Sequence, residues 1–160
     1  MKKKIINPFT TIFSDDYKCI GCSPNNDIGL SLEFFEDTDF VYCEWVPTKN
    51  FEGYKEVVHG GVLAILVDEI SAWIVYTKCK TAGVTESLNI SYHHPARINN
   101  RPLLVRGKLK SINENKALIH SEILNADGKV LCEADITYFL YPEKIAKTRL
   151  HYPGNDSFYE

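Results

Sequence analysis

An almost wholly apolar segment, from Gly61 to Thr77, lies in the middle of the chain and largely determines the fold that we expect. Its only clearly polar side chains are those of Asp68, Glu69, Ser71 and Thr77. A helix that is apolar around most of its circumference is buried on most sides. The longest strictly apolar run has six residues, far fewer than the about 18 that indicate a membrane span. The segment therefore predicts a helix buried inside a folded domain.

Alternation of apolar and polar residues dominates the chain on both sides of this helix, and such alternation is typical of half-buried strands. Turn signals separate the alternating runs, among them Asp37-Thr38-Asp39 and Asp127-Gly128. The predicted strands are Leu30–Phe34, Phe40–Val46, Leu88–His93, Leu103–Lys110, Ala117–Leu124 and Val130–Tyr138. The economical architecture is an α+β fold in which an antiparallel sheet of about six strands wraps around one long central helix.

Length and charge limit the class of protein. The 160 residues fit one domain, which we expect over residues 19–140, with residues 1–18 as an N-terminal extension and residues 141–160 as a C-terminal tail. The net charge is −3 and no basic block exists beyond Lys2–Lys4, so nucleic acid is not an expected partner, and neither is a membrane. The five cysteines are an odd number, and no apolar stretch follows the lysines, so we expect reduced thiols in a cytoplasmic protein.

The sequence His59-Gly60-Gly61 precedes the apolar segment and marks the start of the helix. The first N–H groups of a helix have no internal partner, and the helix dipole adds about half a positive charge at that end. A glycine there lets an oxygen atom of a ligand approach the backbone closely. Two interpretations stay open from these residues: a tight turn into the helix, or an oxyanion hole that stabilises a carbonyl oxygen as it gains charge.

Two adjacent carboxylates, Asp68 and Glu69, lie in the middle of this apolar helix. Carboxylates are almost never fully buried unless they are paired. One interpretation is a solvated notch on the helix face or a structural ion pair with Lys78 or an arginine. The other is that at least one carboxylate reaches a cleft or an interface and acts there chemically.

Taken together, these residues resemble a known family. The segment from His59 to Glu69 is similar to the central-helix signature of hotdog-fold acyl-CoA thioesterases of the phenylacetate-pathway type, within the 4-hydroxybenzoyl-CoA thioesterase superfamily. In that signature an acid follows His-Gly-Gly nine residues after the histidine. Further similarities cover residues 19–140 and lie in Cys19–Asn25 with Gly29-Leu30, in Gly83–Thr85, in Leu88–Tyr92 and at Pro95.

The resemblance implies a hotdog fold and a role for several residues. Gly60 would donate its backbone N–H to the thioester carbonyl, Asp68 would act as general base or nucleophile, and Thr85 would hold the attacking water. The residues expected on the substrate side are His59, Gly61, Glu69, Arg97 and Arg101. The two arginines are candidates for the phosphates of coenzyme A, although surface arginines need no function. Glu69 beside Asp68 leaves open which carboxylate is the working acid.

The sequence motifs of several other enzyme classes are absent from this chain. There is no Gly-x-Ser-x-Gly elbow, phosphate loop, dinucleotide fingerprint or His-Glu-x-x-His. Cys19-x-x-Cys22 is only half of a zinc site, because a structural site takes four ligands and no second pair follows at a suitable spacing. We therefore expect neither a metal nor an organic cofactor, since a thioester is already activated and a carboxylate with water suffices.

We predict hydrolysis of an acyl-CoA, or of an acyl carrier protein ester, to a carboxylic acid and a thiol. The alternatives are a hydratase or dehydratase on the same fold and a non-catalytic acyl-CoA binding module. Gly60 and Asp68 lie eight residues apart, which is roughly 12 Å along a helix. A reacting carbonyl has to lie about 3 Å from both groups, so the spacing predicts a dimer or tetramer whose site combines Gly60 of one subunit with Asp68 of another.

Overall fold

The computed structural model of the protein describes residues 2–159, and in it one sheet curls around a long helix. The strands are β1 (Lys3–Ile5), β2 (Phe34–Glu36), β3 (Val41–Trp45), β4 (Gly83–Tyr92), β5 (Leu103–Asn113), β6 (Lys116–Leu124) and β7 (Val130–Leu140). Their order is β1-β2-β3-β5-β6-β7-β4, and all neighbours are antiparallel. The helices are α1 (Phe9–Phe13), α2 (Gly60–Lys78) and α3 (Glu143–Arg149), and 3-10 turns lie at Ser14–Asp16, Lys49–Phe51 and Asn155–Phe158.

The predicted central helix is confirmed as α2, which has 19 residues. Leu66, Val67, Ile70 and Ile74 are fully buried in it, and the concave face of the sheet covers them. The helix and the sheet approach each other closely at Gly107 of β5. A Cβ atom at this position would lie only 2.8 Å from Ile74 Cδ1 of α2. By length and hydropathy α2 also meets the criterion for a membrane-spanning helix, but half of its apolar window is buried inside the protein, as expected of a core helix.

The predicted strand from Leu30 to Phe34 is wrong for its first four residues. Ser31 has a left-handed φ of 50°, which interrupts an extended strand, and β2 begins only at Phe34. Leu30 and Leu32 are nevertheless buried. Their N–H groups donate to the carbonyl oxygens of Ile20 (2.8 Å) and Gly21 (2.9 Å), so this stretch holds the loop around Cys19-x-x-Cys22 rather than a strand.

The two terminal segments, expected as an extension and a tail, both pack on the C-terminal half of α2. β1 pairs with β2. It is the strand that the alternation did not predict, and it brings the total from six to seven. Phe9 and Phe158 are buried, and each ring centroid lies 5.4 Å from that of Tyr76 on α2. The Ile6 N–H donates to the carbonyl oxygen of Phe158 (2.9 Å), which joins the two segments directly.

Candidate active site

The start of α2 has one backbone donor without an acceptor. His59 caps the helix: its Nδ1 atom accepts the N–H of Gly61 (2.8 Å), and its carbonyl oxygen accepts the N–H of Val62 (2.9 Å). Because Nδ1 accepts a hydrogen bond, the neutral imidazole has its proton on Nε2. Within residues 2–159 no acceptor faces the N–H of Gly60. This N–H is a free donor at the positive end of the helix dipole.

Tyr92, the last residue of β4, positions this helix start. Its hydroxyl donates to the carbonyl oxygen of Gly60 (2.8 Å). Its ring lies beside Gly60, so that a Cβ atom added at Gly60 would meet ring carbons at 3.5 Å, an ordinary contact. The first turn of α2 is thereby fixed against the end of β4.

The Asp68 carboxylate is held through only one of its oxygen atoms. Oδ1 accepts hydrogen bonds from Thr85 Oγ1 (2.7 Å) and from the Tyr138 hydroxyl (3.0 Å). Burial, followed by the negative charge of Asp68, raises the pKa of Tyr138, so this phenol remains protonated and donates. No donor in the described part of the chain faces Oδ2, which is left for water or substrate. The geometry is that of an oriented base with one free acceptor atom.

Glu69 points away from this set. Its Oε1 atom accepts the indole N–H of Trp73 (3.1 Å) and lies 3.5 Å from Cys19 Sγ. Burial, followed by the charge of Cys19, raises the pKa of Glu69 to about 7. The structure therefore groups Asp68 with Thr85, and it does not bring Glu69 to them.

The two arginines expected near coenzyme A have different surroundings. The backbone of Arg97 forms an isolated bridge with Val57, two residues before His59, and no partner faces its exposed side chain among residues 2–159. Arg101 makes a two-point ion pair with Asp127 (3.2 and 2.8 Å). Arg97 is thus close in the fold to the helix start, whereas a phosphate would compete with Asp127 for Arg101.

Side chains of the metal-ligand type meet at two other places. Cys19, Cys22 and Glu69 form one group, and His120, Glu122 and Glu133 form another, each with three suitable atoms within 4.8 Å of one another. A structural zinc site takes four ligands, so neither group is complete. Neither includes Asp68 or the start of α2.

Sequence reasoning did not identify the contact of Tyr138 with Asp68 or that of Tyr92 with Gly60. Tyr138 was predicted only as the last residue of the last strand, and in the structure it is buried. The inward residues of β7 face α2, and a buried tyrosine hydroxyl usually needs a hydrogen-bond partner. A tyrosine at such a position therefore indicates that a polar group of the helix lies opposite it. Tyr92 is half exposed and gives no comparable signal.

Tyr138→Phe is expected to lower kcat about tenfold with little change in KM, because the Asp68 carboxylate loses one of its two donors and its orientation. A hydrogen bond to a charged group contributes about 1.5–3 kcal/mol. The matched control is Tyr152→Phe: Tyr152 is 2% exposed and Tyr138 3%, and the Tyr152 hydroxyl donates to the carbonyl oxygen of Tyr76 (3.1 Å), away from Asp68. Steady-state kinetics with a thermal melt separate the two effects, and equal losses of kcat in both variants would contradict the positioning role of Tyr138.

Comparison with known proteins finds a family model that matches the part of the chain that contains this site. Residues 55–132, which include His59, Gly60, Asp68 and Thr85, match the family model of the thioesterase superfamily. An uncharacterised protein of Schizosaccharomyces pombe is 31% identical over 103 residues, which are 62% of this chain. The chain spans 58% of the length of that relative.

Solved structures with a similar fold include proteins described as thioesterases. Zebrafish thioesterase superfamily member 2 has a TM-score of 0.66 and 28% identity over 74% of this chain and 88% of its own. A hypothetical thioesterase of Streptococcus pneumoniae, solved with coenzyme A, has a TM-score of 0.62 and 24% identity, covering 66% and 83%. PaaI from the phenylacetic acid degradation operon of Escherichia coli has a TM-score of 0.64 and 17% identity, covering 71% and 82%. The resemblance to hotdog thioesterases and the predicted hotdog fold are thereby confirmed.

Proposed function

We propose that this chain, whose residues 55–132 match the thioesterase superfamily and whose fold is the hotdog fold, hydrolyses acyl-CoA thioesters. The observation that carries the proposal is the Asp68 carboxylate, which is fixed through Oδ1 and free at Oδ2, on the same helix whose first residue has an unpaired N–H. A carboxylate base and an oxyanion donor are the two groups that thioester hydrolysis requires.

The Gly60 N–H is the proposed oxyanion donor. When water attacks the thioester carbonyl, its oxygen gains negative charge, and a donor fixed in advance stabilises that charge without having to reorient. The backbone at Gly60 is accessible because the residue has no side chain, and the helix dipole adds to the favourable field. Nδ1 of His59 is engaged by Gly61, so we assign His59 and Gly61 to shaping this end of the substrate site rather than to proton transfer.

Asp68 is the proposed base or nucleophile. As a base, Oδ2 takes a proton from a water molecule that Thr85 orients through the lone pairs of its hydroxyl, while the oxygen of that water bonds to the thioester carbon. The tetrahedral intermediate then collapses, the carbon–sulfur bond breaks, and the proton passes to the leaving thiolate. As a nucleophile, Oδ2 bonds to the carbon itself, the carbon–sulfur bond breaks, and the thiolate leaves and takes a proton from solvent. Water then cleaves the resulting anhydride, which releases the carboxylic acid and restores the Asp68 carboxylate. Both routes need the same free oxygen atom and no metal or organic cofactor.

The proposed site is shared between two subunits. β4 has ten residues and forms one edge of the sheet, and within residues 2–159 no strand pairs with its outer side. A long unpaired edge favours pairing with another chain. Thr85, near the start of β4, contacts Asp68, and Tyr92 at its end contacts Gly60. Antiparallel pairing of two β4 strands about a two-fold axis would place the Asp68 end of one subunit beside the Gly60 end of the other.

Coenzyme A is the proposed carrier of the acyl group. The structure of the hypothetical thioesterase of Streptococcus pneumoniae was solved with coenzyme A. In this chain the exposed side chain of Arg97 projects from a segment that lies against the turn before His59, and its guanidinium is the first proposed contact for the phosphates at the nucleotide end of coenzyme A. Arg101 is the second proposed phosphate contact, in exchange for its ion pair with Asp127.

A panel of acyl-CoA substrates tests the proposal. Release of free thiol from acetyl-, hexanoyl-, palmitoyl-, phenylacetyl- and benzoyl-CoA is measured alongside loss of the double bond of crotonyl-CoA, with the Asp68→Asn variant as the matched blank. We expect thiol release from at least one saturated or aryl substrate. Water addition to crotonyl-CoA without thiol release would favour the hydratase, and binding of every ligand without turnover would favour the binding module; either result contradicts the proposal.

A further inference from the structure

The loop that contains Cys19 and Cys22 brings two thiols together beside a buried carboxylate. The two Sγ atoms lie 2.9 Å apart. The hydrogen bonds from Leu30 and Leu32 to Ile20 and Gly21 fix the backbone of this loop against the rest of the chain. The pair therefore has a defined geometry and not merely a short spacing in sequence.

The two thiols have unequal surroundings, as an attacking and a resolving thiol require. Cys19 is half-buried, whereas Cys22 is 5% exposed. Cys19 Sγ accepts hydrogen bonds from the S–H of Cys22 and from the backbone N–H of Cys22 (3.2 Å), and the first of these is the main cause that lowers the pKa of Cys19 to about 5. The same sulfur contact and burial raise the pKa of Cys22. Cys19 is thus the accessible thiolate and Cys22 the protonated partner.

Glu69 of α2 completes the group. Its Oε1 atom lies 3.5 Å from Cys19 Sγ, and a Cβ atom on Gly21 would lie 2.5 Å from Oε2. Only a glycine in the middle of this loop therefore allows a carboxylate oxygen to lie within 4.8 Å of both sulfur atoms. The carboxyl group, with its pKa raised to about 7, can exchange a proton near neutral pH. The other titratable groups whose pKa the Glu69 charge raises are Cys43, Tyr76 and Tyr138, all neutral acids.

We propose that Cys19 and Cys22 form a reactive dithiol that exchanges with low-molecular-weight disulfides, with Cys19 as the attacking thiol, Cys22 as the resolving thiol and Glu69 as the proton acceptor. The proposal concerns a site separate from Asp68 and Gly60, and it does not depend on thioester hydrolysis.

The exchange balances with one external disulfide as the oxidant. The Cys19 thiolate attacks one sulfur of the disulfide, forms a mixed disulfide and releases one thiolate. Cys22 then gives its proton to the Glu69 carboxylate, and its sulfur attacks Cys19 Sγ. The second thiolate leaves with the proton from Glu69, and solvent protonates the thiolate that left first. The two cysteine thiols are oxidised to the Cys19–Cys22 disulfide, and the external disulfide is reduced to two thiols.

The geometry favours this chemistry over metal binding. Two thiolates on one tetrahedral zinc, each at about 2.3 Å, lie roughly 3.7 Å apart, and the sulfur atoms here are closer. Besides the Glu69 carboxylate, the Tyr17 hydroxyl contacts the thiol pair, at 2.9 Å from Cys22 Sγ. A phenol is not a usual zinc ligand. Direct sulfur-to-sulfur contact is what the resolving step requires.

The test is incubation of the full chain with glutathione disulfide, followed by acid quenching, alkylation, cleavage before aspartates and mass spectrometry. Cleavage before Asp16 and Asp27 isolates a peptide that contains Cys19 and Cys22 and excludes Cys43. We expect this peptide to lose two hydrogens and to retain no glutathione. In Cys22→Ser the glutathione adduct should persist on Cys19, and in Cys19→Ser the oxidation of Cys22 should slow at least tenfold.

Glu69→Gln and Cys79→Ser complete the design. Loss of the proton acceptor should extend the lifetime of the mixed disulfide several-fold, whereas Cys79→Ser should change nothing, because Cys79 lies at the far end of α2. Circular dichroism checks that each variant is folded. The proposal is overturned if the Cys19–Cys22 peptide oxidises no faster than Cys79, if Cys19→Ser and Cys22→Ser exchange their outcomes, or if the purified chain holds one zinc ion that both serine variants lose.

Discussion

Asp68→Asn is expected to lower kcat for thioester hydrolysis about 100-fold or more, while the fold and substrate binding stay nearly intact. An asparagine has the shape of an aspartate, and its Oδ1 atom can still accept the hydroxyls of Thr85 and Tyr138. The amide then places Nδ2, a donor, where Oδ2 faces the site. A group that donates there can neither take a proton from water nor attack the thioester carbon. Steady-state kinetics, with a thermal melt of each variant, measure the loss.

Glu69→Gln is the matched control, because it makes the same chemical change on the neighbouring residue. Its amide oxygen can still accept the indole N–H of Trp73, which Glu69 now accepts at 3.1 Å, and its side chain points away from Asp68 Oδ2. We expect a smaller loss of hydrolysis than in Asp68→Asn. A dead Glu69→Gln enzyme together with an active Asp68→Asn enzyme would show that the working acid has been assigned to the wrong residue.

The choice between these two carboxylates shows where sequence reasoning ends. The apolar segment predicted a buried helix, and its opening residues predicted where the helix starts; both predictions are confirmed. Adjacent residues on a helix differ by about 100° in direction, and the sequence of α2 does not define which of those directions faces β4 and β7. The hydroxyls of Thr85 and Tyr138, on two other strands, decide it.

The segment from Leu30 to Phe34 shows a second limit of prediction from sequence. Alternation of apolar and polar residues indicates which side chains are buried, but it does not indicate which backbone groups they pair with. Leu30, Leu32 and Phe34 are all buried, as their spacing indicates, yet the first two pair with a loop and only the third lies in a strand. The terminal segments were harder still, since Phe9 and Phe158 become core residues only because the far end of α2 offers Tyr76. Such contacts between distant parts of a chain produce no periodic pattern of apolar residues in the local sequence.

Mixing two inactive variants, Gly60→Pro and Asp68→Ala, is expected to restore about a quarter of the activity of the unmodified protein. Proline is tolerated at the first residue of a helix, where its missing N–H has no helical partner. His59 has the extended conformation (φ −60°, ψ 134°) that a residue before proline prefers, and a Cβ atom at residue 60 meets only ordinary contacts. Gly60→Pro should therefore fold and lack only the proposed oxyanion donor.

In a dimer of one variant alone both sites are inactive. Gly60→Pro lacks the oxyanion donor in both sites, and Asp68→Ala lacks the carboxylate in both. In a mixed dimer one site combines the intact Gly60 of the Asp68→Ala chain with the intact Asp68 of the Gly60→Pro chain, and the other site carries both lesions. Random reassortment of equal amounts makes half of the dimers mixed, with one working site in two, which is about a quarter of the original activity. A pairing of Asp68→Ala with Asp68→Asn is the matched control, because no exchange between those chains can rebuild a site.

Recovery in the first mixture and none in the control would establish that Gly60 and Asp68 act across the subunit interface. Native mass spectrometry reports independently whether subunits have exchanged. If mixed dimers form and activity stays absent, then the two groups act within one chain or one of them is not catalytic. That outcome would also remove the reason for placing the partner subunit at the free edge of β4, since the roughly 12 Å between the two groups along α2 would have to be bridged by the substrate within one subunit.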